Sequence, residues 1–185
     1  MKYVIEHLND EVFEWCLLEY RHISQVVGKD NLIFTNIPKE DAHKFKNLGE
    51  VHTKSVIDLN LSRCCILEME ASKELEPSDA KNFEYVVFGG ILGDDPPRGR
   101  NEVLQKLYCE SRSLGSKQMS TDTAAMVTHM ILNGTKMKDI TFQDTIELET
   151  GENDAVVLPY RYVIKNGKPI LPPGLFEMLR DQEGF

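Results

Sequence analysis

A buried apolar run that ends in a glycine turn constrains the fold of this chain more than any other feature. The run 86–88 consists of two valines and a phenylalanine, and Gly89, Gly90 and Gly93 follow it. Three consecutive large apolar residues predict a strand that is covered on both faces, as in a parallel sheet flanked by helices. Glycines at its end permit positive φ angles and close approach of another backbone or a ligand.

The prolines after this turn limit the ligand that it can hold. Pro96 disfavours a helical conformation at Asp95 and lacks an N–H group, so a phosphate-facing helix cannot begin at the glycines. The sequence contains neither the dinucleotide-binding G-x-G-x-x-G motif nor a P-loop. A second glycine loop, 111–124, leads into a predicted helix. Together the two loops predict a backbone-lined pocket for a neutral or apolar group, whereas the first loop alone is more typical of an ordinary turn.

Net charge narrows the class of partner. The 185 residues carry a formal charge of −9, which repels a phosphate backbone and attracts a basic protein. A local basic patch stays open as an alternative. The basic residues around the two loops are Arg98, Arg100, Lys106, Arg112 and Lys117.

Cysteine, histidine and apolar content indicate a soluble cytoplasmic protein without a metal. The four cysteines are Cys16, Cys64, Cys65 and Cys109. They form no C-x-x-C motif, and the five histidines are scattered, so we expect reduced thiols and no metal site. The acidic Glu6, Asp10 and Glu11 do not fit a signal peptide, and no apolar run has membrane-spanning length.

Alternating apolar strands and helical patterns predict an α/β domain with a mainly parallel sheet. Strands are expected at 3–5, 32–34, 83–88 and 112–114, and extended or short strand segments at 55–59 and 64–69. Helices are expected at 11–27, capped by Asn9 or Asp10 and ended by Gly28, at 101–107, and at 121–132, capped by Ser120. Residues 139–185 follow a different pattern, with β segments at 140–142, 145–149 and 156–164, a turn at Asn166-Gly167 and a final helix at 175–179. We therefore divide the chain into a domain at 1–138 and a β extension at 139–185 that packs on it.

Glu19 is an anomaly in the helix predicted at 11–27, because it lies within the apolar face of that helix. Burial of an unpaired carboxylate is unfavourable, so Glu19 is expected to pair with a cation such as Arg161, to accept hydrogen bonds, or to face a cleft. Glu6 and His7 follow the first predicted strand, at the edge where α/β sheets bind ligands. Solvation at the sheet edge is the alternative interpretation of these two residues.

The order and spacing of both loops resemble one known class of enzyme. The first loop contains Phe88-Gly-Gly-Ile-Leu-Gly-Asp94 with Pro96-Pro97-Arg98, and the second contains Leu114-Gly115 and the run 117–123. These motifs are similar to the knotted cofactor site of the SPOUT methyltransferases. The similarity extends over most of the chain and is greatest to the small branch that methylates an arginine of a small-subunit ribosomal protein. It thins between residues 38 and 72.

The resemblance implies a SPOUT-like parallel sheet with a C-terminal trefoil knot at about 85–132, and S-adenosyl-L-methionine as the cofactor. Main-chain groups of the two loops would hold this cofactor, and apolar side chains would line an adenine pocket. The implied cofactor-binding residues are Phe88, Gly89, Gly90, Ile91, Gly93, Leu114, Gly115, Lys117, Gln118, Met119, Thr121 and Thr123.

An arginine acceptor requires carboxylates near the methyl site. Its guanidinium group stays protonated because its pKa is very high, and carboxylates can orient one nitrogen and later accept a proton. Our catalytic candidates are Asp94, Asp95 and Glu19, with Asp122 as a fourth. The alternatives are turn roles for Asp94 and Asp95 and a helix-dipole role for Asp122. The candidate substrate-binding residues are Glu6, His7 and Arg98.

The resemblance therefore implies a methyltransferase that acts on an arginine of a basic ribosomal protein. An RNA methyltransferase of the same fold, acting on rRNA or tRNA, is the first alternative. A non-catalytic module that binds the cofactor or the ribosome is the second. The helix at 121–132 is apolar around most of its circumference, which is typical of burial within the fold or against a second subunit, so monomer and homodimer both stay open.

Overall fold

Two β-sheets form the frame of the part of the chain that the computed structural model describes, residues 1–90, 100–149 and 155–181. The strands are β1 (Lys2–His7), β2 (Leu32–Thr35), β3 (Glu50–Val51), β4 (Cys64–Leu67), β5 (Tyr85–Gly90), β6 (Glu110–Arg112), β7 (Phe142–Glu149), β8 (Ala155–Lys165) and β9 (Lys168–Pro169). The α-helices are α1 (Glu14–Val27), α2 (Thr121–Leu132) and α3 (Leu175–Asp181). Short 3-10 turns occur at Lys29–Asn31, Ala42–Phe45, Val56–Leu59, Pro77–Lys81, Arg100–Lys106 and Met137–Asp139.

The larger sheet is parallel throughout, with the strand order β3-β2-β1-β5-β4-β6. Its two central strands, β1 and β5, pair over their full lengths from Lys2 opposite Tyr85 to His7 opposite Gly90. Both strands are apolar on both faces, which explains the uninterrupted apolar run at 86–88. The mainly parallel α/β fold predicted from the sequence is confirmed.

Alternation along β1 divides the core into two layers. Tyr3 and Ile5 pack into the cluster formed with α1, Phe34 of β2 and Ala125 of α2. Val4 points to the opposite face, into the cluster that contains Val56 and Leu104 of the 3-10 turns. Helices α1 and α2 therefore cover one face of the sheet near its centre, and the shorter 3-10 turns cover the opposite face.

Helix α1 begins at Glu14, three residues later than predicted, because the preceding residues bond elsewhere. The backbone N–H of Leu8 donates to the Gly90 carbonyl at 3.1 Å, and that of Val12 donates to the Asp41 carboxylate at 3.2 Å. Phe13 is extended and occupies the N-cap position. The predicted caps, Asn9 and Asp10, are therefore wrong, whereas the predicted end at Gly28, with φ +81°, is confirmed.

Three other predicted boundaries shift. Residues 56–59, predicted as extended, form a 3-10 turn because the Ser55 hydroxyl accepts the Ile57 N–H and Glu6 accepts the Val56 N–H. The strand predicted at 112–114 lies at 110–112, and the strand predicted at 83–88 lies at 85–90. The helix predicted at 121–132 has those bounds in the structure.

The smaller sheet is antiparallel, in the order β7-β8-β9, and packs beside the second glycine loop. The Arg161 N–H of β8 donates to the Gln118 carbonyl at 2.8 Å, and Met119 forms a parallel bridge with Arg161. Tyr162 and Val163 of β8 are buried. The C-terminal extension is thus bonded directly to the loop that leads into α2. The trefoil knot also depends on residues 91–99, which lie outside the described part of the chain, and it stays a prediction.

A disulfide joins two of the four cysteines, which corrects the expectation that all are reduced. Cys64 begins β4 and Cys109 precedes β6, and these strands are parallel neighbours. Their Cα atoms lie 5.2 Å apart, within the range of disulfides. Sequence spacing gave no sign of this, because the two residues are 45 apart. Cys16 and Cys65 are free and buried, and burial raises the pKa of their thiols to about 11 and about 12.

Thiol titration tests the disulfide. When the protein is purified without reductant and then unfolded, we expect only the thiols of Cys16 and Cys65 to react. After reduction, all four thiols should react. Closing a loop of this length stabilises a fold by about 4 kcal/mol in the loop-entropy model, so reductant should lower the free energy of unfolding. The double variant Cys64→Ser/Cys109→Ser should be insensitive to reductant. Four thiols before reduction would contradict the disulfide.

Candidate active site

The two glycine loops leave the large sheet at the same edge. Strands β5 and β6 are parallel and lie on either side of β4, so the segments after Gly90 and after Arg112 both emerge at the carboxyl ends of the strands. Ligands of open α/β sheets bind at this edge. The predicted cofactor residues are therefore brought together in space as far as the structure describes them.

Within the second glycine loop, residues 113–120 connect β6 to α2. This segment has a buried apolar side chain next to open space. Leu114 is buried, whereas Gly115 has a φ of +87° and a Cβ atom there would meet nothing within 4 Å. Lys117 is exposed, and its ammonium lies 4.0 Å from the Asp144 carboxylate. The loop ends in the first turn of α2, where Thr121 and Thr123 are buried.

The first glycine loop begins in a tightly packed environment. Phe88 is buried, and Tyr3 stacks on it with ring centroids 6.5 Å apart. Gly90 has no room for a side chain, because a Cβ atom would lie 2.6 Å from the Tyr20 hydroxyl and 2.9 Å from Ile5 Cγ2. Glycine is required here by close approach of α1 and β1. The remaining candidates in this loop, Ile91, Gly93, Asp94, Asp95 and Arg98, lie outside the described residues.

Glu6 and His7 are buried, so the alternative that they are solvated at a sheet edge is wrong. They lie on the central strand β1 and point to opposite faces. The Glu6 carboxylate accepts hydrogen bonds from the Thr35 and Ser55 hydroxyls and from the Val56 N–H. Substrate contact by Glu6 stays a prediction.

His7 is bonded to Tyr20 and to the loop before α1. Its Nε2 lies 3.2 Å from the Glu11 carbonyl, which can only accept, so Nε2 carries the hydrogen. Its Nδ1 then accepts from the Tyr20 hydroxyl at 2.8 Å. Burial lowers the pKa of His7, in agreement with this neutral form. A substrate contact for His7 also stays a prediction.

Glu19 is not paired with Arg161. Arg161 instead binds Asp144, with nitrogen to oxygen distances of 2.7 and 3.3 Å. The Glu19 carboxylate accepts the Trp15 Nε1–H at 3.1 Å and lies close to the first turn of α2, at Thr121 and Asp122. Burial and the nearby negative charge of Asp122 raise its pKa well above the usual range.

A residue that sequence reasoning missed completes this buried cluster. His22 Nδ1 lies 2.8 Å from Asp122 Oδ2, and both side chains are buried. The available signal was spacing, because residue 22 lies one helical turn after Glu19 on the same face of α1. The first turn of α2 thus lies against two polar side chains of α1.

The basic residues around the loops do not form the patch that an RNA substrate requires, as far as their side chains are described. The Arg112 guanidinium is buried and binds Asp79 at 3.0 and 3.1 Å and Glu110 at 3.0 Å. These ion pairs neutralise the charge of Arg112, whereas the RNA alternative predicts a locally positive surface around it. Lys106 is exposed, like Lys117.

The parallel sheet and its two loops at one edge define a SPOUT-type methyltransferase fold. A solved structure of Trm10 from Thermococcus kodakaraensis is similar to this chain in fold only. It has a TM-score of 0.57 at 14% identity, and the match covers 75% of this chain and 96% of that chain.

The chain belongs to the SFM1-like family of protein arginine N-methyltransferases, whose family model matches residues 2–184. It is 40% identical to the protein arginine N-methyltransferase SFM1 of Saccharomyces cerevisiae, over 97% of this chain and 94% of that protein. A crystal structure of yeast SFM1 complexed with SAM matches with a TM-score of 0.89 and 40% identity, and covers 97% of this chain and 89% of that one. The complex with SAH gives a TM-score of 0.88 at 39% identity, covering 96% and 94%.

A double-mutant cycle tests the packing at Gly90. We expect Gly90→Ala to lower the free energy of unfolding by about 1–3 kcal/mol, the usual effect of overpacking. In a Tyr20→Phe background the loss should be smaller, because the hydroxyl that meets the new methyl group is absent. Urea unfolding of the four proteins measures the coupling. Equal losses in both backgrounds would show that Tyr20 does not limit the space.

The buried neutral His7 predicts loss of stability in acid. Since its pKa is lower in the folded than in the unfolded chain, stability is full above the ordinary value of 6.5 and declines as pH falls through the folded-state pKa. Urea unfolding between pH 7.5 and pH 5 should show this decline, with a smaller slope in His7→Asn. His129, whose pKa burial also lowers, accounts for part of the remaining slope. An unchanged slope in the variant would rule out this role of His7.

Proposed function

We propose that this protein transfers a methyl group from S-adenosylmethionine to an arginine side chain of a protein. The observation that carries the proposal is 40% identity to yeast protein arginine N-methyltransferase SFM1 across nearly the whole chain. The solved SFM1 structures with SAM, SAH and MTA support the choice of cofactor.

The described residues suit this cofactor. Phe88 and Leu114 offer apolar surface for an adenine, and the open space at Gly115 lets a ligand approach the backbone of the second loop. When bound, the cofactor supplies a methyl group on a sulfonium, which an aligned nucleophile takes by in-line displacement. The protein then has to hold the cofactor, align the acceptor nitrogen and exclude water.

A carboxylate has to orient the guanidinium of the acceptor arginine. Asp94 and Asp95 are our first candidates, because they follow β5 directly in the chain. Glu19 is retained as a third, although its carboxylate accepts a hydrogen bond from Trp15 and lies close to the first turn of α2. A raised pKa, as burial gives Glu19, is typical of a group that takes part in proton transfer.

We propose a basic ribosomal protein as the substrate. The net charge of −9 and the pairing of Arg112 with two carboxylates favour a basic protein over RNA. Glu147 and Glu149, both exposed on β7, add negative charge to the C-terminal sheet. A ribosomal substrate implies the cytoplasm as the location.

Binding and transfer can be measured in one preparation. We expect SAH to bind in calorimetric titration, and labelled methyl groups to appear in the protein fraction of small ribosomal subunits. Asp94→Asn should bind SAH normally and lose about 10²-fold or more of the transfer rate, the usual contribution of a positioned acid or base. Glu19→Gln tests the third candidate, and its matched control is Glu14→Gln, an exposed substitution on the same helix.

Each outcome distinguishes one alternative. Label in the RNA fraction would replace the proposal with RNA methylation. Binding of SAH without label in either fraction would support a non-catalytic module. Absence of SAH binding would show that the two glycine loops are ordinary turns.

A further inference from the structure

A side chain of α1 is bonded to the N-terminal turn of α2. His22 Nδ1 lies 2.8 Å from Asp122 Oδ2, and the Glu19 carboxylate lies close to the same turn. The first turn of α2 is the direct continuation of the second glycine loop. Whatever fixes this turn therefore also fixes the end of that loop.

Ser120 occupies the N-cap position of α2 without capping it in the usual way. A serine at this position normally accepts an N–H group of the first turn, but the Ser120 side chain makes no such bond. Its hydroxyl instead contacts Asp122 Oδ1 at 2.7 Å and Thr123 Oγ1 at 2.9 Å. Because Asp122 is also bonded to His22, the conformation at Ser120 is linked to α1.

The direction of these bonds makes His22 the donor. An ionised carboxylate can only accept, so His22 Nδ1–H donates to Asp122 Oδ2 while the Ser120 hydroxyl donates to Oδ1. The Asp122 carboxylate is 1% exposed, so water does not replace a lost donor without rearrangement of the turn.

We propose that His22 is a positioning residue for the cofactor, which acts through Asp122 and Ser120 to hold the second glycine loop in its binding conformation. This inference rests on the proposed function, because the loop binds the cofactor only if the protein is such a methyltransferase. His22 acts on the loop rather than on the transferred methyl group. Loss of the His22 side chain should therefore weaken SAH binding. It should also make the second glycine loop more mobile in the protein that has no SAH bound.

Two substitutions separate the hydrogen bond from the volume of the side chain. His22→Leu removes the donor and should weaken SAH binding about tenfold, as expected for a lost hydrogen bond to a charged group. His22→Asn keeps a donor at the position of Nδ1 and should bind SAH within about twofold of the wild type. Ser120→Ala removes the second donor to Asp122 and should also weaken binding, which keeps the test available if His22→Leu does not fold.

Hydrogen exchange of the free protein gives a second readout. Backbone amides of residues 114–120 should exchange faster in His22→Leu than in the wild type and in His22→Asn. Tyr3→Phe is the matched control, because it removes a bond of 2.9 Å to His129 in the last turn of α2. This control should lose stability while SAH affinity and exchange at 114–120 stay unchanged.

The results can overturn the inference independently of the proposed function. Wild-type SAH affinity and wild-type exchange at 114–120 in both His22→Leu and Ser120→Ala would reject it. Equal weakening in His22→Leu and His22→Asn would show that the donor is not what matters, and would also reject it. If the wild type does not bind SAH, the proposed function fails, whereas hydrogen exchange still tests the role of His22 in the loop.

Discussion

The parallel pairing of β1 with β5 determines the positions of the other elements of the large sheet. It places the first glycine loop beside the end of β1, where Gly90 lies against Tyr20 of α1 without room for a methyl group. Because β1 alternates between two buried layers, its polar C-terminal residues are directed into the protein and satisfied there. The edge at which a ligand would bind is built on this central pair.

The second structural theme is a buried polar cluster between α1 and α2. Burial of charged or hydrogen-bonding groups is unfavourable unless every group has a partner, and such groups then specify one arrangement of the elements that carry them. Glu19 and His22 define how α1 meets the first turn of α2. The C-terminal sheet reinforces this arrangement, since the Arg161 N–H of β8 donates to the Gln118 carbonyl. Residues from three distant parts of the chain thus hold a single loop.

Fold alone does not decide the methyl acceptor, because one fold supports different substrates. The shared fold with Trm10 extends to 75% of this chain, whereas the similarity to yeast SFM1 covers 97% of it and includes the C-terminal sheet. Electrostatics adds an argument from the protein itself. Arg112, which lies at the start of the second loop, forms ion pairs with Asp79 and Glu110. These carboxylates neutralise its charge, so it is not available to bind a phosphate.

The sequence by itself determined the features that depend on neighbouring residues. The apolar run before Gly90 predicted a central parallel strand, Ser120 and Leu132 bounded α2, and Gly28 ended α1. Local periodicity and backbone preferences suffice for these features. The sequence also showed that Glu19 needs a partner, because its position in an apolar stripe is a local property.

Only the tertiary structure decided which partners the buried groups have. Glu19 lies close to the first turn of α2 while Arg161 pairs with Asp144, His22 meets Asp122 100 residues away, and Cys64 joins Cys109. The start of α1 moved to Glu14 because distant groups bind the residues before it. Hydrogen bonds and disulfides require distances of a few ångströms, and only the packing of strands and helices brings groups so far apart in the chain to those distances.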